Sequence, residues 1–281
     1  QIRLVTRVCD HFLRRGAKLD AGGKARLSEI NQDLAARFAE FRARVLADEN
    51  TWTVLGAEGD LAGLPSSLVA TLKAAADERG LQGKWAVVNT RSSVDPFLTS
   101  STRRDLREAV WRRFKGRGDN GDANDTKSTI AAIVRLRAER ATLLGFASHA
   151  HWRMSDTMAG DPATAQAFLR KVWPRAVAAV RREVADMQAI ADREDPGTTI
   201  EPWDYLYYAE KVRKAKYALD QDELKPYFEL NNMIAASFYM ADQLYGLAFE
   251  EITGKVPVFH PDVRVWEVKD KASGAHRGLF Y

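Results

Sequence analysis

Along much of the chain, apolar residues recur at steps of three and four, a spacing that gathers them on one side of a helix. Leu27, Ile30, Leu34, Phe38, Phe41 and Val45 form one such stripe, and Asp20, Gly22 and Gly23 mark a turn ahead of it. A longer stripe runs through Ala165, Phe168, Leu169, Val172, Trp173, Val177, Val180, Val184, Met187 and Ile190, opened by Asp161 as cap and Pro162 as first helical residue. Pro174 interrupts it; proline lacks an amide N–H and crowds the preceding turn, so a kink or break is expected there. Further helices are expected over 68–79, 102–115, 126–144, 203–217 and 232–245. Gly80, Gly116, Gly145 and Gly246 follow four of them, where a left-handed residue ends a helix.

Strand signals are few. Residues 51–55 and 84–89 are two, and 263–268 with 277–281 form a terminal hairpin around a turn at 269–274. The expected fold is mainly α, a multi-helix scaffold with a small β-sheet or hairpin near the C-terminal end. It is read as one helical portion over 1–281, with a sub-boundary near 195–202 and the small sheet starting in 256–281. The chain does not begin with Met and stops at Tyr281 inside a strand, so both ends are expected to be truncations.

Composition changes this picture little. The 281 residues are 46% hydrophobic and 28% charged, and no apolar run approaches the ~18 residues a membrane helix needs, so a soluble chain is expected. Lys and Arg number 42 against 38 Asp and Glu. The two signs are interleaved, as on solvated helix faces. Arg112, Arg113 and Arg117, or Lys211 to Lys216, could suggest a nucleic-acid surface. Glu108, Asp119, Glu210 and Asp220 sit beside them, and a phosphate-binding face needs clustered charge, so no nucleic-acid partner is expected. Cys9 is the single cysteine, which excludes an internal disulfide and a thiolate metal cluster and fits a reducing, cytoplasmic setting.

No His-Glu-x-x-His occurs among these residues. That arrangement puts two imidazoles on one helix face for zinc, with a Glu beside them as base. The five histidines, His11, His149, His151, His260 and His276, include no pair at helical metal spacing. His149 and His151 would lie about 200° apart on a helix. His260 and His276 would stand roughly 30 Å apart along the hairpin if residue 276 faces residue 269. Ser92 and Ser93 lack a nucleophile elbow and read as turn chemistry before Asp95-Pro96. Arg117-Gly118-Asp119 spells an adhesion tripeptide without structural context. The run from Asp119 to Asp125 fails as an EF-hand, because its twelfth position is Ile130, and reads instead as a loop capping the next helix through Asp125 or Thr126. Trp203, Tyr205, Tyr207 and Tyr208 read as core aromatics.

Several segments carry a resemblance. Asn89-Thr90-Arg91-Ser92-Ser93-Val94-Asp95-Pro96-Phe97-Leu98, Arg103-Arg104-Asp105-Leu106-Arg107-Glu108 and Arg117-Gly118-Asp119-Asn120 come first. Leu136-Arg137-Ala138-Glu139-Arg140-Ala141 to Leu144-Gly145, Thr157-Met158-Ala159 and Pro202-Trp203-Asp204 to Tyr207-Tyr208 follow, and then His260-Pro261-Asp262-Val263 to Gly278-Leu279-Phe280-Tyr281. In order and spacing they resemble the thimet oligopeptidase and peptidyl-dipeptidase family of zinc metallopeptidases, bacterial peptidyl-dipeptidases in particular. The resemblance implies a helical zincin-like scaffold with a deep channel, an oligopeptide substrate, a monomeric full-length protein and a zinc ion held by the two histidines of His-Glu-x-x-His and a distant Glu. Those ligands are expected beyond Tyr281, so no residue here is assigned to catalysis, cofactor binding or metal. A helical scaffold that binds peptides or proteins without catalysis is the alternative.

Overall fold

The computed structural model describes residues 2–218 and 224–281; Asp220, counted above among the neutralising carboxylates, lies outside them. The chain divides into two compact units, Gln1–Lys216 and Tyr217–Tyr281. The fold is mainly α, with small antiparallel sheets.

In the first unit α1 (Ile2–Leu13) leads to α2 (Ala21–Glu49). Gly22 and Gly23 are not a turn ahead of α2 but its first turn; Asp20 caps it, its carboxylate accepting from the Gly23 N–H at 2.7 Å. Ile30 and Leu34 of α2 close on Ile133 of α6 (Lys127–Leu143), with Phe38, Phe41, Leu136 and Leu143 around them. The second core lies between β1 (Trp52–Leu55), β2 (Trp85–Val88), α3 (Ser66–Asp77), α4 (Arg91–Ser100) and α5 (Arg104–Lys115). The two strands pair antiparallel, Trp52 opposite Val88.

Helix α4 replaces the turn expected at Ser92 and Ser93, ahead of Asp95-Pro96. Val94, Phe97 and Leu98 are buried in this core, and their burial outweighs the one amide bond that Pro96 cannot make. The short α7 (His149–Met154) leads into α8 (Pro162–Glu194), which opens with Asp161 as cap and Pro162 as first residue. The expected break at Pro174 does not occur: α8 runs through it, since regular turns on both sides outnumber the lost bond. Its far end packs Met187 and Ala191 on Tyr208 of α9 (Tyr205–Tyr217).

Gly80, Gly145 and Gly246 take positive φ as expected; Gly116 does not, with φ −80°, and the left-handed residue after α5 is Gly118. In the second unit α10 (Leu230–Tyr245) lies on a sheet of order β3 (Leu247–Glu251), β4 (Trp266–Asp270), β5 (His276–Phe280). Phe238 of α10 stacks on Phe249 at 4.0 Å and meets Trp266 and Phe280 edge-on. The hairpin forms with His276 opposite Lys269. Its first strand starts at Trp266 rather than Val263, because the Val265 amide bonds the Thr253 hydroxyl at 3.0 Å instead of joining the ladder. No helix among the described residues is long and apolar enough to cross a membrane.

Candidate functional site

The residues weighed for chemistry do not converge. His149 lies against Trp152, and burial, then Arg137, Arg140 and Arg153, hold its pKa below the ordinary value. His151, on the same short helix, bonds the Ser148 hydroxyl through Nδ1 at 2.8 Å. That contact resembles a nucleophile and base, yet Ser148 is the N-cap of α7 and also accepts the His151 amide. The pair is a helix cap. Ser93 accepts from the Val88 N–H at 3.1 Å and Ser92 contacts Thr90, both in the first turn of α4, and neither bonds an imidazole among the described residues. His276 pairs with Glu267 at 2.9 Å, and His260 accepts from the Asp262 amide. The basic runs are matched by acids: Arg112 by Glu108, Arg117 by Glu49, Lys211 by Glu194 and Arg213 by Glu210.

What the first unit does assemble is two buried carboxylate centres. The sequence pattern flagged neither, because their partners lie far away in the chain. Asp204, fully buried, accepts from Arg104 at 2.8 Å and Arg107 at 2.7 Å, and from the Glu201 amide at 3.1 Å. Arg107 also donates to the Ser101 carbonyl at 2.7 Å and lies 4.2 Å over the Tyr207 ring. Arg112 covers Trp203, which meets Trp111 edge-on. Tyr205, Tyr207 and Tyr208 pack in the core with Met187 and Ala191, as read, and Tyr207 also covers Arg107 of this charged centre.

The second centre is Asp48, in the last turn of α2. Its carboxylate accepts from the Gly118 amide at 2.7 Å, Asn120 at 3.1 Å and Asn124 at 3.0 Å. The Asp119–Asp125 run is thus a loop wrapped on a protein carboxylate; Thr126 is the N-cap of α6, and Asp125 before it accepts the Lys127 amide at 2.9 Å. Arg117-Gly118-Asp119 is tied down by Glu49, Asp48 and Lys127 rather than presented. Beside this loop a polar cleft of about 410 Å³ is lined by Asp48, Thr51, Asn89, Arg112, Arg113, Asn120 and Asp122 among others. Asn89 braces its wall by donating to the Asp48 carbonyl at 3.0 Å. Such a cleft can hold polar groups.

The model of peptidase family M3 matches residues 97–281, from within α4 through the second unit. The chain belongs to peptidase family M3. Among its relatives, the dipeptidyl carboxypeptidase of Escherichia coli K12 is 39% identical over all of this chain and 41% of the relative's length. That of Salmonella typhimurium is 38% identical with the same coverage, and oligopeptidase A of Salmonella typhimurium is 31% identical over all of this chain and 42% of its own length. The chain thus spans about two fifths of the relatives it matches. The M3 match includes Arg104, Arg107 and Asp204 and leaves Asp48 and Asn89 outside. No group of three or more His, Cys, Asp or Glu that could hold a metal ion occurs among the described residues.

Asp204 carries a pH signature. Burial, the largest single effect, pushes its pKa up; the hydrogen bonds from Arg104 and Arg107 and the Glu201 amide together hold it below the ordinary carboxylate value. Because the folded pKa is the lower one, the stability it contributes is complete above the unfolded value near ~3.9 and is lost as pH falls through the folded value. The urea midpoint is therefore expected to fall below about pH 4, and to fall less steeply in Asp204→Asn. An identical acid slope in the two proteins would refute this assignment.

Proposed function

We propose that this chain is part of a zinc-dependent metallopeptidase that hydrolyses short oligopeptides, releasing dipeptides, and that its zinc ligands lie in polypeptide outside these 281 residues. The observation that carries the reading is the match to peptidase family M3 over residues 97–281, joined to 39% identity with a dipeptidyl carboxypeptidase along the whole chain. The sequence itself supports the placement of the zinc site, since it contains no His-Glu-x-x-His. Zinc in such enzymes supplies a bound water of lowered pKa and polarises the scissile carbonyl. The part played by the residues in hand is structural: the Asp204 and Asp48 centres fix helices that would wall the peptide channel. A cytoplasmic setting belongs to the same reading, supported by the single exposed Cys9.

The test has two arms. The full reading frame should contain His-Glu-x-x-His, and its product should bind one zinc and release dipeptides from oligopeptides in a chelator-sensitive way. The 281-residue chain should carry no stoichiometric zinc by elemental analysis and cleave nothing. Zinc bound by the short chain, with hydrolysis blocked by a chelator, would sink the placement of the site; a full-length product without peptidase activity would sink the function.

A further inference from the structure

The first half of α8 is bare on all sides. Every residue from 166 to 176 is exposed, and Phe168, Leu169 and Trp173 stand 67%, 63% and 70% open. A helical stretch with no packing partner gains little from its own hydrogen bonds in water, and large apolar side chains left exposed along one line mark an interaction surface. At about 100° per residue, Ala165, Phe168, Leu169, Val172, Trp173 and Val180 share one face with Val184, Met187 and Ala191. At the far end Met187 and Ala191 are buried against Tyr208. The bare stripe therefore continues a surface already used for contact within the protein.

The charges around the stripe are one-sided. Between Pro162 and Arg182 the helix carries Arg170, Lys171, Arg175, Arg181 and Arg182 and no Asp or Glu. Other basic residues of the first unit do meet acids, as Arg26 meets Glu139 and Lys216 meets Asp186. These five have no ion pair among the described residues. A seat that is apolar along its centre and positive at its edges fits an apolar stripe rimmed by carboxylates. The relatives supply room for one, because more than half of their length lies outside the region this chain matches.

We propose that the bare stripe of α8 seats an acidic-rimmed amphipathic helix contributed by polypeptide of the same longer protein outside residues 1–281. This rests on the reading of the chain as part of a longer M3 protein, but not on that protein's being a peptidase. A lipid surface is less suited, because the stripe is anchored in protein contact at its Met187 end.

The experiment uses the full-length product of the reading frame beside the 281-residue chain. Hydrogen exchange over 163–182 should be fast in the short chain and slowed at least about tenfold in the full-length protein, with the protection lost in Phe168→Glu/Trp173→Glu. In the unmodified full-length protein, a carbodiimide should couple the Lys171 Nζ to an Asp or Glu outside residues 1–281, a readout that survives even if the double variant misfolds. Coupling only to carboxylates within 1–281 or to a second molecule, or fast exchange in both proteins, would overturn the proposal. So would a frame that ends at Tyr281, or protection that appears only with phosphatidylserine vesicles. Coupling and protection without peptide hydrolysis would leave this inference standing and remove the peptidase reading; hydrolysis with an unprotected α8 would do the reverse.

Discussion

Replacing Asp204 with Asn is expected to destabilise the first unit by about 3–5 kcal/mol, read as a lower urea midpoint by the fluorescence of Trp111 and Trp203. The carboxylate is fully buried, and Arg107 beside it is 2% exposed. An asparagine keeps the shape but turns an amide N–H₂ toward guanidinium donors and leaves Arg107 as a buried charge without its counter-ion. Against a typical total of ~5–15 kcal/mol, that loss is enough to unfold a large fraction of molecules. An exposed pair sets the contrast. Arg26 and Glu139 are 43% and 45% open, so Glu139→Gln is expected to leave the urea midpoint almost unchanged. The triple variant Asp204→Leu/Arg104→Met/Arg107→Met should recover much of the loss, because removing all the charges together removes the desolvation they suffer. It should not recover all, since Arg107 also satisfies the Ser101 carbonyl. A loss below about 1 kcal/mol for Asp204→Asn would show the buried pair to be of little weight.

What could be read from the sequence follows from how local each signal is. The α2 stripe was legible because Leu27, Ile30 and Leu34 repeat at helical spacing and bury on that same face. Helix α4 was not, because Ser92, Ser93 and Pro96 carry turn chemistry and only the core formed by distant strands makes Val94 and Phe97 worth burying. Strand β3 was missed for a related reason: Leu247-Ala248-Phe249-Glu250-Glu251 has weak β propensity and gains its place from pairing with β4. The family was legible from collinear segments, one of which contains Trp203 and Asp204. The role of Asp204 was not, since its arginines lie about a hundred residues earlier. Nothing around Asp48 in the sequence pointed to the loop more than sixty residues later that closes on it.

Asp48 offers a sharper test, because two effects of opposite sign meet there. A carboxylate in the last turn of a helix faces the negative end of the helix dipole, so its removal alone should stabilise α2 by about 0.3–1 kcal/mol. Removal also strips the acceptor from three donors. Asn120 can turn its amide to water, but the Gly118 N–H is buried and cannot, and a buried unsatisfied donor costs about 1–3 kcal/mol. The loop cannot shift to compensate. Gly118 has φ +70°, a Cβ there would come within 2.9 Å of the Thr126 hydroxyl, and Thr126 in turn donates to the Gly118 carbonyl at 2.9 Å. The network should therefore win, with Asp48→Ala destabilising by about 1–2 kcal/mol and Asp48→Asn, which keeps one acceptor, by about half as much. Hydrogen exchange should rise first over residues 117–126, ahead of the α2 and α6 core. If Asp48→Ala were neutral or stabilising, the dipole would be the larger effect, and the loop would be held by Thr126 and Asp125 rather than by the carboxylate at its centre.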